Sequence, residues 1–195
     1  HTLQLSLELE SYDKNRILCF TGLLPHVGCS FVAAQMAKLF AESGKKVLLI
    51  DADLQKGNLG SLFGFEPAEG LVDVLAGKKS ISAVVKTTQT PGLDLLLCGY
   101  HLLCSEGVLG TKKFANFIKL VRESYDIVIL DTPSLQKTMD VSVVSRELDE
   151  IVLILEYGRH SMDSILEGVS LLSKTSTLSK VIAFNKCVLP QKKKI

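Results

Sequence analysis

The sequence predicts an α/β fold, a doubly wound and mostly parallel sheet with helices on both faces. Three observations carry this: short apolar runs alternate with longer amphipathic stretches, the runs are continuous rather than alternating with period two, and a glycine-bearing loop joins the first run to the first amphipathic stretch. Strands covered on both faces read as continuous apolar runs, and strand–helix alternation means right-handed crossovers between parallel strands.

In chain order the predicted strands are "RILCFT" (16–21), "KKVLLID" (45–51), "LDLLLC" (93–98), "YDIVILD" (125–131), "EIVLILE" (150–156) and "KVIAFN" (180–185). Helical patterns fill the intervals at Ser30 to Ser43, Gly70 to Ala76, Lys112 to Ser124, Val141 to Leu148 and Met162 to Lys174, with Gly44 placed to close the first. One domain is expected over 16–190, preceded by a remnant of an upstream segment (1–15) and followed by a basic tail (191–195).

Composition narrows the function classes. The formal net charge is +1, with no basic stripe beyond Lys192 to Lys194, so a nucleic-acid partner is not expected. The 5 cysteines are scattered without a C-x-x-C pair, which argues against a zinc site and for reduced thiols in a cytosolic compartment. No apolar stretch approaches the roughly 20 residues that cross a bilayer. The chain starts at His1 rather than Met, so a membrane-anchored parent is compatible with it.

Polar residues gather where the strands end, the edge at which such sheets bind ligands. The first run enters Gly22 and "LLPHVGCSF" (23–31), the second ends in Asp51-Ala52-Asp53, the fourth in Asp131-Thr132-Pro133 and the last in Asn185. Strand-end carboxylates also serve as caps and turn formers, and each alone carries that reading equally well. A phosphate loop, G-x-x-x-x-G-K-[ST], wraps phosphates in backbone N–H groups, reaches them with its lysine and binds Mg²⁺ with its hydroxyl. Gly28-Cys29-Ser30 keeps the glycine and the hydroxyl; Cys29 stands in the lysine position, and Gly22 lies one residue early.

From 15 to 187 the chain resembles the catalytic domain of bacterial tyrosine kinases, the MinD-like P-loop NTPases that accompany polysaccharide co-polymerases. Carrying the resemblance are "PHVGCS" (25–30), "LLIDADLQKG", "YDIVILDTPS", Asp140, "GLVDVLAGKKSI", "PGLDLLLCG" and "VIAFNK". It implies ATP or ADP with Mg²⁺ as cofactors. Gly22, Pro25, Gly28, Cys29, Ser30, Phe31 and Asn185 would hold the nucleotide, Asn185 at the adenine. Ser30, Asp51 and Asp131 would hold the metal, and Asp51, Asp53 and Asp131 would carry catalysis, with Cys29 at the missing lysine.

Departures from the family pattern point one way. Beside Cys29, Gln55 replaces an arginine, Ser134 a proline and Glu156 a basic residue; Leu102-Leu103-Cys104-Ser105 occupies a Pro-Pro-Asn-Pro loop, and no tyrosine follows Cys187. Phosphoryl transfer depends on positioning and charge neutralisation, and loss of a charge at the transition state costs about 3 to 4 kcal/mol. A thiol at a helix N-terminus is also expected at lowered pKa, as a thiolate that repels phosphate. Lys56 is the nearest replacement cation in sequence, on what reads as a solvated turn.

The expectation is therefore a degenerate, pseudokinase-type domain, regulatory or scaffolding in exopolysaccharide synthesis and export, with weakened nucleotide binding. Its partner would be a membrane-embedded polysaccharide co-polymerase, with homo-oligomers possible, at the cytoplasmic face of the inner membrane. The alternatives are an active tyrosine kinase or slow ATPase of the same family, and a MinD-like localisation ATPase.

Overall fold

The computed structural model describes residues 15–100, 108–135, 144–177 and 179–187. Its centre is a 7-stranded sheet in the order β3-β4-β2-β5-β1-β6-β7. The strands are β1 (Arg16–Gly22), β2 (Val47–Asp51), β3 (Lys86–Thr87), β4 (Leu93–Leu96), β5 (Ile127–Asp131), β6 (Glu150–Glu156) and β7 (Ser179–Asn185). All neighbouring pairs are parallel except β3 with β4.

The continuous apolar runs are explained by two cores, one on each face. Along β1, Ile17 and Cys19 pack into one core while Leu18 and Phe20 pack into the other, so both side-chain sets leave water. Helix α1 (Cys29–Glu42) covers the second face with Val32, Ala33, Met36, Ala37 and Phe40. The first face is covered by α2 (Leu71–Leu75), α4 (Lys112–Ser124) and α5 (Met162–Ser173), with the short α3 (Ile81–Val84) between α2 and β3. Complete burial of Phe20, Phe40 and Phe114 contributes about 2 to 3 kcal/mol each.

Helix periodicity translates directly for α4, where Phe114, Phe117, Ile118 and Val121 form the buried stripe and the Thr111 hydroxyl accepts from the Phe114 N–H as a cap. The chain leaves α1 through Ser43 and Gly44, whose amide returns to the Ala41 carbonyl.

The structure differs from the sequence expectation in several places, α3 among them, since a four-residue helix carries too little pattern to be read. Strand β3 was not expected, because two residues at a sheet edge carry no periodicity. The third apolar run leaves the sheet after Leu96; the carbonyls of Leu97 and Cys98 instead accept from the N–H groups of Leu71 and Val72, starting α2. Helix α1 begins one residue early, which makes Cys29 its first residue and Gly28 its N-cap. Of the pattern from Val141 to Leu148, 141–143 lie outside the described residues, and Ser145–Glu147 form one 3-10 turn. Asp140 and Leu102 to Ser105 are also outside them.

Parallel pairing brings the polar strand ends together. Asp51 on β2 is opposite Asp131 on β5, Phe20 on β1 is opposite Asp131, and Glu156 on β6 is opposite Asn185 on β7. Gly22 on β1 sits beside Ile154 of β6 at the same edge.

Candidate nucleotide site

The loop from Gly22 to Gly28 doubles back on β1, and its residue types follow from that path. A side chain on Gly22 would place Cβ 2.7 Å from Val27 Cγ2 and 2.9 Å from the Leu24 carbonyl oxygen, so the turn requires its absence. Gly28 has φ +87°, and a Cβ there would lie on the Asn185 amide. His26 is left-handed at φ 65° without being glycine, a local strain held by its surroundings.

The loop ends at the α1 N-terminus, where the Gly28 carbonyl accepts the Val32 N–H. Neither a capping side chain nor an acidic residue occupies the first turn, so the helix dipole and free amides face outward. The loop lines a cleft of about 430 Å³ with Gly22, Pro25, Gly28, Cys29, Ser30 and Phe31 on one wall. Asp53, Lys56 and Asn58 contribute from beyond β2, Thr132 to Ser134 from beyond β5, and Lys186 from beyond β7. That volume falls within the range of small-ligand sites. A larger cleft of about 950 Å³ between α2, α3 and α4 contains none of the predicted site residues.

Asp51 and Asp131 lie beneath the loop, 1% and 3% exposed. Asp51 accepts the N–H groups of Leu59 (3.0 Å) and Asp53 (3.2 Å), and Asp53 Oδ1 accepts those of Lys56 (3.1 Å) and Gln55 (3.3 Å). Both therefore shape the 51–59 turn, the structural role open to any strand-end carboxylate. Burial raises Asp51 to about 8, and the neighbouring Asp131 adds to the shift. Burial likewise raises Asp131 to about 7, against hydrogen bonds from Ser30 and Cys29 that pull it down.

Cys29 overturns the expected thiolate. Desolvation of this half-buried side chain, then its proximity to Asp131 and Cys19, pushes its thiol well above the ordinary value and outweighs the helix N-terminus. The group is a neutral thiol held against Asp131. It supplies no positive charge and no repulsive negative one. Beneath it, Cys19 is also raised, to about 12, and its Sγ lies 3.5 Å from Thr132 Oγ1.

These residues suit a Mg²⁺–nucleotide. Asp131 Oδ1 and Ser134 Oγ are buried without a partner, and Ser134 lines the cleft, so polar atoms await a ligand or water there. Ser30 and Asp131 supply a hydroxyl and a carboxylate on neighbouring elements, a donor set that fits a hard cation completed by phosphate oxygens. No group of three or more His, Cys, Asp and Glu residues forms a metal cage among the described residues. Phe31, 56% exposed on the cleft wall, offers an apolar face to a base.

Asn185 is placed at the loop, but its amide is largely engaged. Its Nδ2 donates to the Val27 carbonyl at 2.9 Å and its Oδ1 accepts the Lys186 N–H at 2.8 Å, leaving one N–H for an adenine. Lys186, the last residue of "VIAFNK" and not among the predicted site residues, donates to the His26 carbonyl and pairs with Glu156 Oε1, both at 3.2 Å. The acidic Glu156 thereby anchors the loop through Lys186, and through Arg159 at 2.7 Å it closes the β6 turn. The signal available was the charge reversal between Glu156 and Lys186, two strand ends that pair only in three dimensions.

Gly28→Ala tests this packing. The strained φ and the clash with Asn185 are expected to cost about 2 kcal/mol or more of stability. A denaturant midpoint equal to that of the parent would contradict the loop geometry.

A family model for the AAA domain matches residues 16–184, from the start of β1 almost to the end of β7. The chain belongs to the AAA domain family. Among its relatives, EpsB of Ralstonia solanacearum is 32% identical over 185 residues, which are 94% of this chain and 25% of EpsB. The tyrosine-protein kinase wzc of Salmonella typhimurium is 29% identical over 172 residues, 88% of this chain and 24% of that protein. This AAA domain thus spans about a quarter of the length of these relatives. It superposes on the kinase domain of Escherichia coli tyrosine kinase ETK with a TM-score of 0.81 at 26% identity, covering 93% of this chain and 72% of that one. The fold also matches the septum site-determining protein MinD complexed with Mg-ADP from Pyrococcus horikoshii, with a TM-score of 0.70 at 23% identity, covering 87% and 68%. The predicted fold class and the resemblance to MinD-like bacterial tyrosine-kinase domains are borne out. No described helix is long and apolar enough to cross a membrane.

Proposed function

We propose that this domain is a pseudokinase, one that holds a nucleotide weakly and transfers phosphoryl groups inefficiently. The observation that carries the reading is the neutral Cys29 thiol, turned to Asp131 at the loop position where the related kinases place a lysine. Backbone amides, Ser30 and the carboxylate pair retain the means to bind Mg²⁺ and phosphate, and a bound Mg²⁺ would neutralise part of the phosphate charge. The charge needed at the transferring phosphoryl group is reduced by one.

In this reading the domain serves a polysaccharide-export assembly as a regulatory or scaffolding part, beside a membrane-embedded co-polymerase at the cytoplasmic face of the inner membrane. Support comes from the similarity to wzc and ETK kinases, and from a loop whose anchors, Asn185 and Lys186, are intact. Isothermal titration with MgADP and MgATP beside a phosphotyrosine assay tests it. Weak binding with no sustained phosphotransfer is expected; robust autophosphorylation by the unaltered domain sinks the proposal.

The placement of Asp51 opposite Asp131, with Asp53 on the cleft wall, favours a second reading, an active kinase or slow ATPase. Asp51→Asn separates the two. Turnover that falls with this substitution supports the enzyme, and turnover equal to that of the parent removes the carboxylate from catalysis.

A further inference from the structure

Two lysines, Lys56 and Lys186, line the cleft among the described residues. They differ in commitment. The Lys186 ammonium is taken by Glu156 and the His26 carbonyl. Lys56 forms no ion pair among the described residues, although its backbone is fixed by the Asp53 carboxylate and carbonyl at 3.1 and 3.2 Å. The turn that carries it is thus rigid at the main chain while the exposed four-carbon stem and ammonium stay free. It lines the cleft from the turn after β2, in the same lining as Gly28 and Ser30. The same cleft is lined by the first residues of α1 and by Thr132 to Ser134, which follow Asp131, and both Asp131 Oδ1 and Ser134 Oγ are buried without a partner, an arrangement that calls for a charged ligand.

We propose that Lys56 supplies, from the turn after β2, the phosphate-binding charge that Cys29 does not, so that the cleft takes the diphosphate group of a Mg²⁺–nucleoside diphosphate. The inference rests on the nucleotide-holding reading above and goes further, because it names the residue that makes such binding possible. A lysine on the β2 side can neutralise a ground-state diphosphate. Its charge comes from the turn after β2 and not from within the loop, so it stabilises bound nucleotide without restoring the loop lysine's contact to a transferring group.

Titration of MgADP into the whole chain, comparing the parent, Lys56→Met and Lys56→Arg, provides the test. Lys56→Met is expected to weaken MgADP about tenfold or more, and Lys56→Arg to stay within about threefold of the parent. In a Cys29→Lys background the Lys56→Met effect is expected to shrink below about threefold, since the loop then carries its own cation. Equal MgADP affinity of parent and Lys56→Met overturns the inference but leaves the nucleotide-holding reading intact. Equal weakening by Met and Arg, or a full effect in the Cys29→Lys background, also overturns the substitution role. A parent that binds no MgADP at millimolar concentration overturns both.

Discussion

Cys29→Lys is expected to raise MgATP affinity by about 10- to 100-fold, the range for a restored charge-assisted contact to phosphate. The pocket has what the lysine needs: the amides of a 14-residue helix, Ser30 beside it and a cleft open to the stem. The new ammonium also lies beside Asp131 and stabilises its ionised form, lowering a carboxyl that burial now holds near 7. Metal binding and phosphate binding should therefore improve together. Isothermal titration reads the affinity, and a single-turnover phosphotransfer assay reads the gain at the transition state. Unchanged affinity would mean that the loop is a packing element and the domain a scaffold without a nucleotide.

The second large effect is on stability against pH. Asp51 and Asp131 have folded values of about 8 and about 7, against roughly 3.9 in an unfolded chain. With folded values raised, the native state binds more protons than the unfolded state between those limits. The stabilisation is complete below the unfolded value and is lost as pH rises through about 7 and then about 8. Each carboxyl costs up to about 1.4 kcal/mol per pH unit over its window. From about pH 5 to about pH 9 the metal-free protein is expected to lose on the order of 5 kcal/mol, lowering Tm by roughly 10 °C or more. Mg²⁺ with nucleotide should offset the loss, because it favours the ionised forms. Asp51→Asn should flatten the profile by removing one of the two groups. Thermal melts at several pH values measure this, and a Tm that rises from about pH 6 to about pH 8.5 would contradict the buried pair.

Much of the architecture was legible because burial on both faces leaves a plain mark. "EIVLILE" and "YDIVILD" could be recognised without any partner, since a strand between two helical layers has few polar positions. The loop was legible as well, from a glycine, a hydroxyl and a proline between an apolar run and a helix. Less of the site was. Asn185 could be placed at a strand end, but nothing local indicates that its amide is spent on Val27, 158 residues earlier. Nor does the sequence near Cys29 show that burial, helped by the Asp131 carboxylate 102 positions later on β5, keeps the thiol protonated.

The residues alone thus established the sheet class, the kinase-like motif order and the missing charge at Cys29, because each is written in local pattern or in a single position. Assembly in three dimensions established the rest: Asp51 opposite Asp131, Lys186 tied to Glu156 and His26, and Lys56 in the lining of the same cleft. The physical reason is that periodicity encodes which side of a strand is buried, whereas strand order and register decide which distant polar groups meet, and that meeting sets both the charge balance of the site and the protonation of its acids.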